Sequence, residues 1–253
     1  MTPPIPRYLV DMVRREAPVA EVVPESTPVV AFGDPFVATV ATLGINPSLR
    51  EFLGRGKLLD GSSRRLATLR SLGAESLESL TDAQVLEVVE DCARYFDADR
   101  NPYGRWFNSL DMVLRASVGA SYYTGSACHL DLVQWATDPI WGELAERTRE
   151  QLLAEGLPHL RALFTFGKTT LVLLNGRQVL DHVKSVGLVE LSDCGTMPMG
   201  HTTCSLYMGD GEGVQYVGWS TNLQGSRGVT NEFKSRLAAW VASVARQQRS
   251  SSS

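Results

Sequence analysis

Val37-Ala38-Thr39-Val40-Ala41-Thr42-Leu43-Gly44-Ile45-Asn46-Pro47-Ser48 is the stretch on which the fold turns. The run from Val37 to Leu43 is small, branched and largely apolar, the composition of a strand buried on both faces in a parallel sheet. Gly44 and Pro47 then force a turn. That turn places the Asn46 side chain at the carboxyl end of the strand, the edge at which open α/β sheets bind their ligands. A plain strand exit closed by an Asx-type turn accounts for the same residues, so the rest of the chain has to decide between them.

Working outward, 253 residues suit one large α/β domain with extensions and a substantial core. Residues 1–35 are expected to form a short helix around Tyr8 to Arg15 and an extended, Pro-rich arm. Thr81-Asp82-Ala83-Gln84 opens a helix with a capping pattern, and its apolar positions fall at Val85, Val88, Val89 and Cys92. Asn101 to Phe107 is an aromatic-rich turn before a helix from Ser109 to Ala116. Ala127 to Trp135 reads as a second strand, with a helix from about Ile140 to Glu155 behind it. Leu160 to Lys168 reads as a third strand stopped by Gly167, followed by a helix through Leu174. Cys204 to Met208 and Val214 to Trp219 form a last strand pair around Gly209-Asp210-Gly211, and an amphipathic helix runs on through Val244. Strands separated by helices imply parallel pairing, which predicts a three-layer α/β/α sandwich on a central, mainly parallel sheet over residues 36–244. The polar stretch 245–253 is expected to be a disordered tail.

The formal net charge is −4, so no global basic field marks a polyanionic partner and any nucleic-acid contact has to come from a local patch. No run has the length of a membrane span, and no charged-then-apolar leader pattern is read, so a cytoplasmic protein is expected. The four cysteines are scattered without a Cys-x-x-Cys, which favours neither a disulfide framework nor an iron–sulfur or zinc ribbon site. Cys194, His201 and Cys204 are irregularly spaced and make a weak zinc signal. No metal and no cofactor are expected.

Four segments then fall in order along the chain: Gly44-Ile45-Asn46-Pro47-Ser48, His129-Leu130-Asp131-Leu132-Val133, Phe164-Thr165-Phe166-Gly167-Lys168, and the loop from Trp219 to Val229 with Leu223 and Arg227-Gly228 inside it. Together they resemble the uracil-DNA glycosylase superfamily over roughly residues 36 to 244. The first segment is similar to the Gly-x-Asn-Pro-Gly motif of the mismatch-specific and single-strand-selective branches. The second stands at the base-reading strand, and the third looks like the family's apolar-Gly-Lys strand end. The fourth matches a loop that in the family begins with His. Here Trp219 occupies that place, and the carboxylate that some members carry at the position of Asn46 is absent as well.

The resemblance implies a monofunctional DNA glycosylase, acting as a monomer on double-stranded DNA. Such an enzyme flips a nucleotide out of the stack and hydrolyses its glycosidic bond through an oxocarbenium-like transition state. On this reading Asn46 orients the water and Asp131 reads the base, with Gly44, Ile45, Pro47, Ser48 and His129 around the pocket and Phe52 or Trp106 stacking on the base. Trp219, Ser220, Asn222, Leu223, Ser226 and Arg227 would hold the backbone, with Leu223 inserted into the duplex. Arg50, Arg55, Lys57, Arg64 and Arg65 make a basic stretch after the turn, of which Arg64 and Arg65 are taken as DNA contacts.

Two positions speak to the substrate. Uracil-specific members carry Asn where Asp131 stands, and an ionised Asp offers only acceptors, which suit the amino group of cytosine better than the carbonyls of uracil. Strict uracil enzymes place Tyr where Ser48 stands, and a serine leaves room at the fifth carbon. A modified cytosine follows, such as the glucosylated hydroxymethylcytosine of phage DNA in an anti-phage role. The alternatives are a uracil or mismatch repair glycosylase and a non-catalytic nucleic-acid-binding domain of the same fold. Blander roles compete at each residue: turn capping for Asn46, loop capping for Asp131, core packing for His129 and the aromatics, a solvated face for the arginines.

Overall fold

The computed structural model describes residues 5–225 and 228–251. In chain order the elements are α1 (Arg7–Arg14), β1 (Val40–Gly44), the short strands β2 (Leu53–Gly54) and β3 (Lys57–Leu58), α2 (Leu69–Leu72), α3 (Asp82–Ala93), α4 (Gly104–Val118), β4 (Ala127–Asp131), α5 (Glu146–Phe166), β5 (Leu171–Asn175), α6 (Arg177–Ser185), β6 (Ser192–Met199), β7 (Thr202–Gly211), β8 (Val214–Trp219) and α7 (Asn231–Ser251). The chain separates into two compact units. Unit 1 comprises Met1–Asp34, Ile45–Pro102 and Leu130–Phe166; unit 2 comprises Pro35–Gly44, Tyr103–His129 and Gly167–Ser253.

The protein is α/β, with helices around a six-stranded, mainly parallel sheet in the order β4-β1-β5-β8-β7-β6. β5 pairs in parallel with β1 and β8, whereas β7 runs antiparallel to both β8 and β6. Every residue of β5 and of β8 is buried, as expected of strands covered on both faces. Within unit 2, α6 packs against β5 and β8, and α7 against β6, β8 and α4. Gly218 allows the approach of α6, since a Cβ there would lie 2.6 Å from Leu180 Cδ2. β6 is exposed along most of its length and carries Pro198, a residue confined to sheet edges and bulges.

Unit 1 is built on α1, α3 and α5, with α1 packed against both others. Residues 5–34 are an integral part of it. The Val23 and Val29 N–H groups donate to the Ala136 and Gln134 carbonyls at 2.9 and 2.8 Å, and Asp138 N–H returns a bond to the Glu21 carbonyl at 2.9 Å. Arg15, just past α1, meets Glu155 of α5 at 2.7 Å and lies 5.2 Å over the Trp135 ring. Thr81 and Gln84 form the expected capping box of α3.

Three expectations fail in the middle and at the end of the chain. Leu160 to Lys168 is not a strand. Most of it is the last part of α5, in which Leu160, Leu163 and Phe164 are buried at the i, i+3, i+4 spacing of a helix face. The helix continues through Gly156 and Pro158, past Glu155, where it was expected to end. The following segment, expected to be helical, is instead β5. At the carboxyl end α7 runs on to Ser251, past Val244 and into the stretch expected to be a disordered tail. No helix among the described residues is long and apolar enough to cross a membrane.

Gly156 has a packing role within unit 1, because a Cβ at that position would sit 2.5 Å from the Leu132 carbonyl oxygen and 3.0 Å from Val133 Cα. Gly156→Ala is therefore expected to lower unfolding free energy by about 1–3 kcal/mol, the usual cost of overpacking against backbone that cannot yield. Gly142→Ala, where an added Cβ meets nothing within 4 Å, should leave stability unchanged in the same urea titration.

Candidate functional site

Asn46 follows β1 in the turn made by Gly44 and Pro47, and hydrogen bonds fix that turn to the chain leaving β4. The Val133 N–H donates to the Ile45 carbonyl at 2.9 Å. Asn46 Nδ2 donates to the Trp135 carbonyl at 3.2 Å and to Thr137 Oγ1 at 3.3 Å. A main-chain carbonyl only accepts, so the amide orientation is dictated by its partner. Asn46 Oδ1 consequently has no partner among the described residues and is open to accept a proton of water. An amide orients a water molecule but is far too weak a base to deprotonate one.

A buried carboxyl that the sequence did not reveal stands in the same segment. Ser48 caps the short 3-10 turn Leu49–Glu51 by accepting from the Arg50 N–H at 3.2 Å. The turn carries Glu51 into the interior of unit 1, where it is 2 % exposed. Its Oε2 accepts from the Tyr95 hydroxyl at 2.6 Å and lies 4.0 Å from Arg65 Nη1, while Oε1 accepts no bond from the described residues. Burial pushes the Glu51 carboxyl up to about 7. The Tyr95 hydrogen bond and the Arg65 charge pull it down, and the charge of Asp131 pushes it up. Asp131 is the last residue of β4 and is itself buried at 6 %. Unit 1 thus holds a fixed amide, a buried carboxyl that titrates near neutrality, and a second buried carboxyl whose charge the first one feels.

Several other sequence candidates have structural roles. Phe52 is fully buried and does not present a stacking face. Arg64 donates to Ser71 Oγ at 2.8 Å and pairs with Asp91 at 3.1 Å. Arg65 donates to the Arg50 carbonyl at 2.7 Å and the Asn101 carbonyl at 3.0 Å. Both guanidinium groups staple loops of unit 1 together and are corrected here from DNA contacts to internal ties. Pro47 is buried, Gly44 and Ile45 are half-buried, and Ser48 is exposed.

Unit 2 holds His129, Trp106 and the loop after β8. The His129 Nδ1 lies 2.7 Å from Thr42 Oγ1, which in turn lies 2.6 Å from the Tyr122 hydroxyl, and Phe107 packs edge-on against the ring. This is a buried polar chain of the core. Trp106, in the first turn of α4, is 43 % exposed and free to stack.

The loop after β8 is organised by Asn175, another residue the sequence did not reveal. Asn175 Oδ1 accepts from Trp219 Nε1 at 2.9 Å and from the Leu223 N–H at 3.1 Å. Its Nδ2 donates to Asn222 Oδ1 at 3.2 Å and Gln224 Oε1 at 2.5 Å. Trp219 is completely buried and Leu223 is 4 % exposed, so neither projects from the loop and Leu223 is not an exposed wedge. The Ser220 hydroxyl accepts from the Ser205 N–H at 2.9 Å, tying it to β7. Asn222 is exposed at the surface. Ser226 and Arg227 lie outside the described residues.

No protein-family model matches this chain, and no curated protein matches it.

The Glu51 environment predicts how stability depends on pH. A carboxyl raised from 4.5 to about 7 on folding favours the folded state while protonated. That contribution is complete below pH 4.5 and is lost as pH rises through 7. Glu51→Gln, which keeps a polar partner for Tyr95 without the charge, should match the parent near pH 4. At pH 8 it should exceed the parent by on the order of 3 kcal/mol, the free energy of the shift. Denaturant titrations at the two pH values check this.

Proposed function

We propose that the chain is a DNA base glycosylase of the uracil-DNA glycosylase type. Its substrate would be a cytosine-like base with an enlarged group at the fifth carbon, such as glucosylated hydroxymethylcytosine in phage DNA. The observation that carries the proposal is the Asn46 amide, held by the Trp135 carbonyl so that Oδ1 stays open, in the segment that also delivers the buried Glu51. The strand-end Asp131 supports it, because its acceptors suit the cytosine amino group. Ser48 adds a small side chain where a tyrosine would crowd a substituent. The Phe164-to-Lys168 match lends no support, since those residues close a helix.

In the proposed reaction the nucleotide leaves the stack, and the bond between C1′ and the base nitrogen lengthens towards an oxocarbenium-like state. Asn46 Oδ1 orients the attacking water. The water oxygen bonds to C1′ as the base departs with the bonding pair. The ionised Glu51 carboxylate receives one water proton, which passes to the departing base and restores the carboxylate. The products are a free base and an abasic deoxyribose, with atoms and charge balanced. Asp131 accepts from the exocyclic amino group and fixes the base in register.

The test is base release from phage DNA containing glucosylated hydroxymethylcytosine and from uracil-containing DNA, followed by mass spectrometry and alkali-sensitive strand breaks. Release from the phage DNA is expected, with a rate that rises with pH through about 7 as Glu51 ionises. Asn46→Ala, Asp131→Ala and Glu51→Gln should each lower it by about 100-fold or more. Release of uracil alone would replace the modified-cytosine reading with a repair role. Release from neither DNA would overturn the glycosylase reading.

A further inference from the structure

From Arg7 to Arg100 the cations of unit 1 divide sharply; beyond that stretch Arg147 and Arg149 also lack a carboxylate partner among the described residues. Among the described residues, Arg50, Arg55 and Lys57 are exposed and have no carboxylate partner, whereas every other arginine up to Arg100 meets one, from Arg7 with Asp11 to Arg100 with Asp91. The three unpaired cations of that stretch fall on or beside one small structure, the β2–β3 hairpin. Leu53 pairs with Leu58 and Gly54 with Lys57, and the Leu59 N–H closes its base onto the Phe52 carbonyl at 2.7 Å. Phe52, fully buried, anchors that base in unit 1.

The turn at the tip has an unusual occupant. Arg55 and Gly56 have φ of 50° and 74°, so both central residues of this two-residue loop are left-handed, as a type I′ turn demands. Asn-Gly or Gly-Gly fits such a turn without penalty, while a long side chain at the first position is disfavoured. The hairpin thus keeps a cationic side chain at its tip against the conformational preference of the backbone, and no contact within the described residues explains it. Backbone strain that survives without a folding benefit points to function.

We propose that the β2–β3 hairpin is a phosphate-binding finger for DNA, with Arg55 at the tip and Lys57 and Arg50 on its flank. This deepens the glycosylase reading and rests on it for the identity of the polyanion. The hairpin follows the Asn46 turn in the chain, so the finger would grip the backbone of the same nucleic acid whose base enters the site. Its cations meet phosphate oxygens and displace condensed counterions, which makes their contribution depend steeply on salt and only weakly on sequence.

The test is binding of the full chain to an ordinary DNA duplex across a series of salt concentrations, with urea unfolding alongside. Arg55→Asn installs the preferred Asn-Gly turn while removing one charge. It should raise the urea midpoint and at the same time weaken DNA binding, lowering the slope of log K against log salt by about 0.9. Arg55→Lys should retain the slope. The Arg50→Ala, Arg55→Asn, Lys57→Ala triple variant should lower the slope by between about two and three. An unchanged slope in Arg55→Asn and in the triple variant overturns the proposal, as does a preference for anionic phospholipid vesicles over DNA. Base release distinguishes the two readings: release with an unchanged slope removes the finger alone, and a finger-dependent slope without release removes the glycosylase alone.

Discussion

The buried backbone of Asp131 to Thr137 is the constraint on which unit 1 depends. All seven residues are buried, yet only Asp131 belongs to a strand, so the polar groups of an irregular interior segment need partners. They find them in three places. Ile45 accepts from Val133, Asn46 donates to Trp135, and the N-terminal arm supplies partners for Gln134 and Ala136. Gln134 closes the set by donating from its side-chain Nε2 to the Asp131 carbonyl at 3.0 Å. The arm and the Asn46 turn are therefore parts of one hydrogen-bonding solution, and the orientation of the Asn46 amide follows from it.

That solution has a chemical consequence. Turning Nδ2 inward leaves Oδ1 as an acceptor, and the short helical turn behind Pro47 brings Glu51 inside. Burying a carboxyl is unfavourable for its ionised form, and here the Tyr95 hydroxyl and Arg65 offset only part of that penalty while Asp131 adds to it. On the proposed reading, a first motif without a carboxylate is followed a few residues later by one whose ionisation near neutrality would suit general acid–base catalysis. Arg65 serves this arrangement from within, which is why it is not available at the surface, whereas the hairpin cations are.

The sequence was legible where local signals were strong. The capping box at Thr81 and β8 stand in the structure where those signals put them, and the strand before Asn46 is present but begins at Val40, with Val37 outside it and 64 % exposed. The stretch from Glu146 to Asn175 differs from its expected reading: the helix runs on past Glu155 through Gly156 and Pro158, where Gly156 serves close packing against the Leu132 carbonyl, a tertiary reason invisible in one dimension. The apolar run of β5 is too short to distinguish from a helix by pattern alone. At the site, Asn46 and Asp131 were legible as strand-end polar residues. Glu51 was not, because it sits in a basic stretch and reads as a surface charge. Its burial depends on Tyr95, 44 residues away. Asn175 was hidden for the same reason, since its partners are Trp219 and the loop that follows.

The most direct test of this account is a carboxyl 13C NMR titration of Glu51 in the parent protein and in Asp131→Asn. The account predicts a midpoint near 7 in the parent, moving to lower pH when the Asp131 charge is removed. A midpoint near 4.5 in both proteins would contradict it, because Glu51 would then be an ordinary solvated carboxylate and not a buried group electrostatically tied to Asp131.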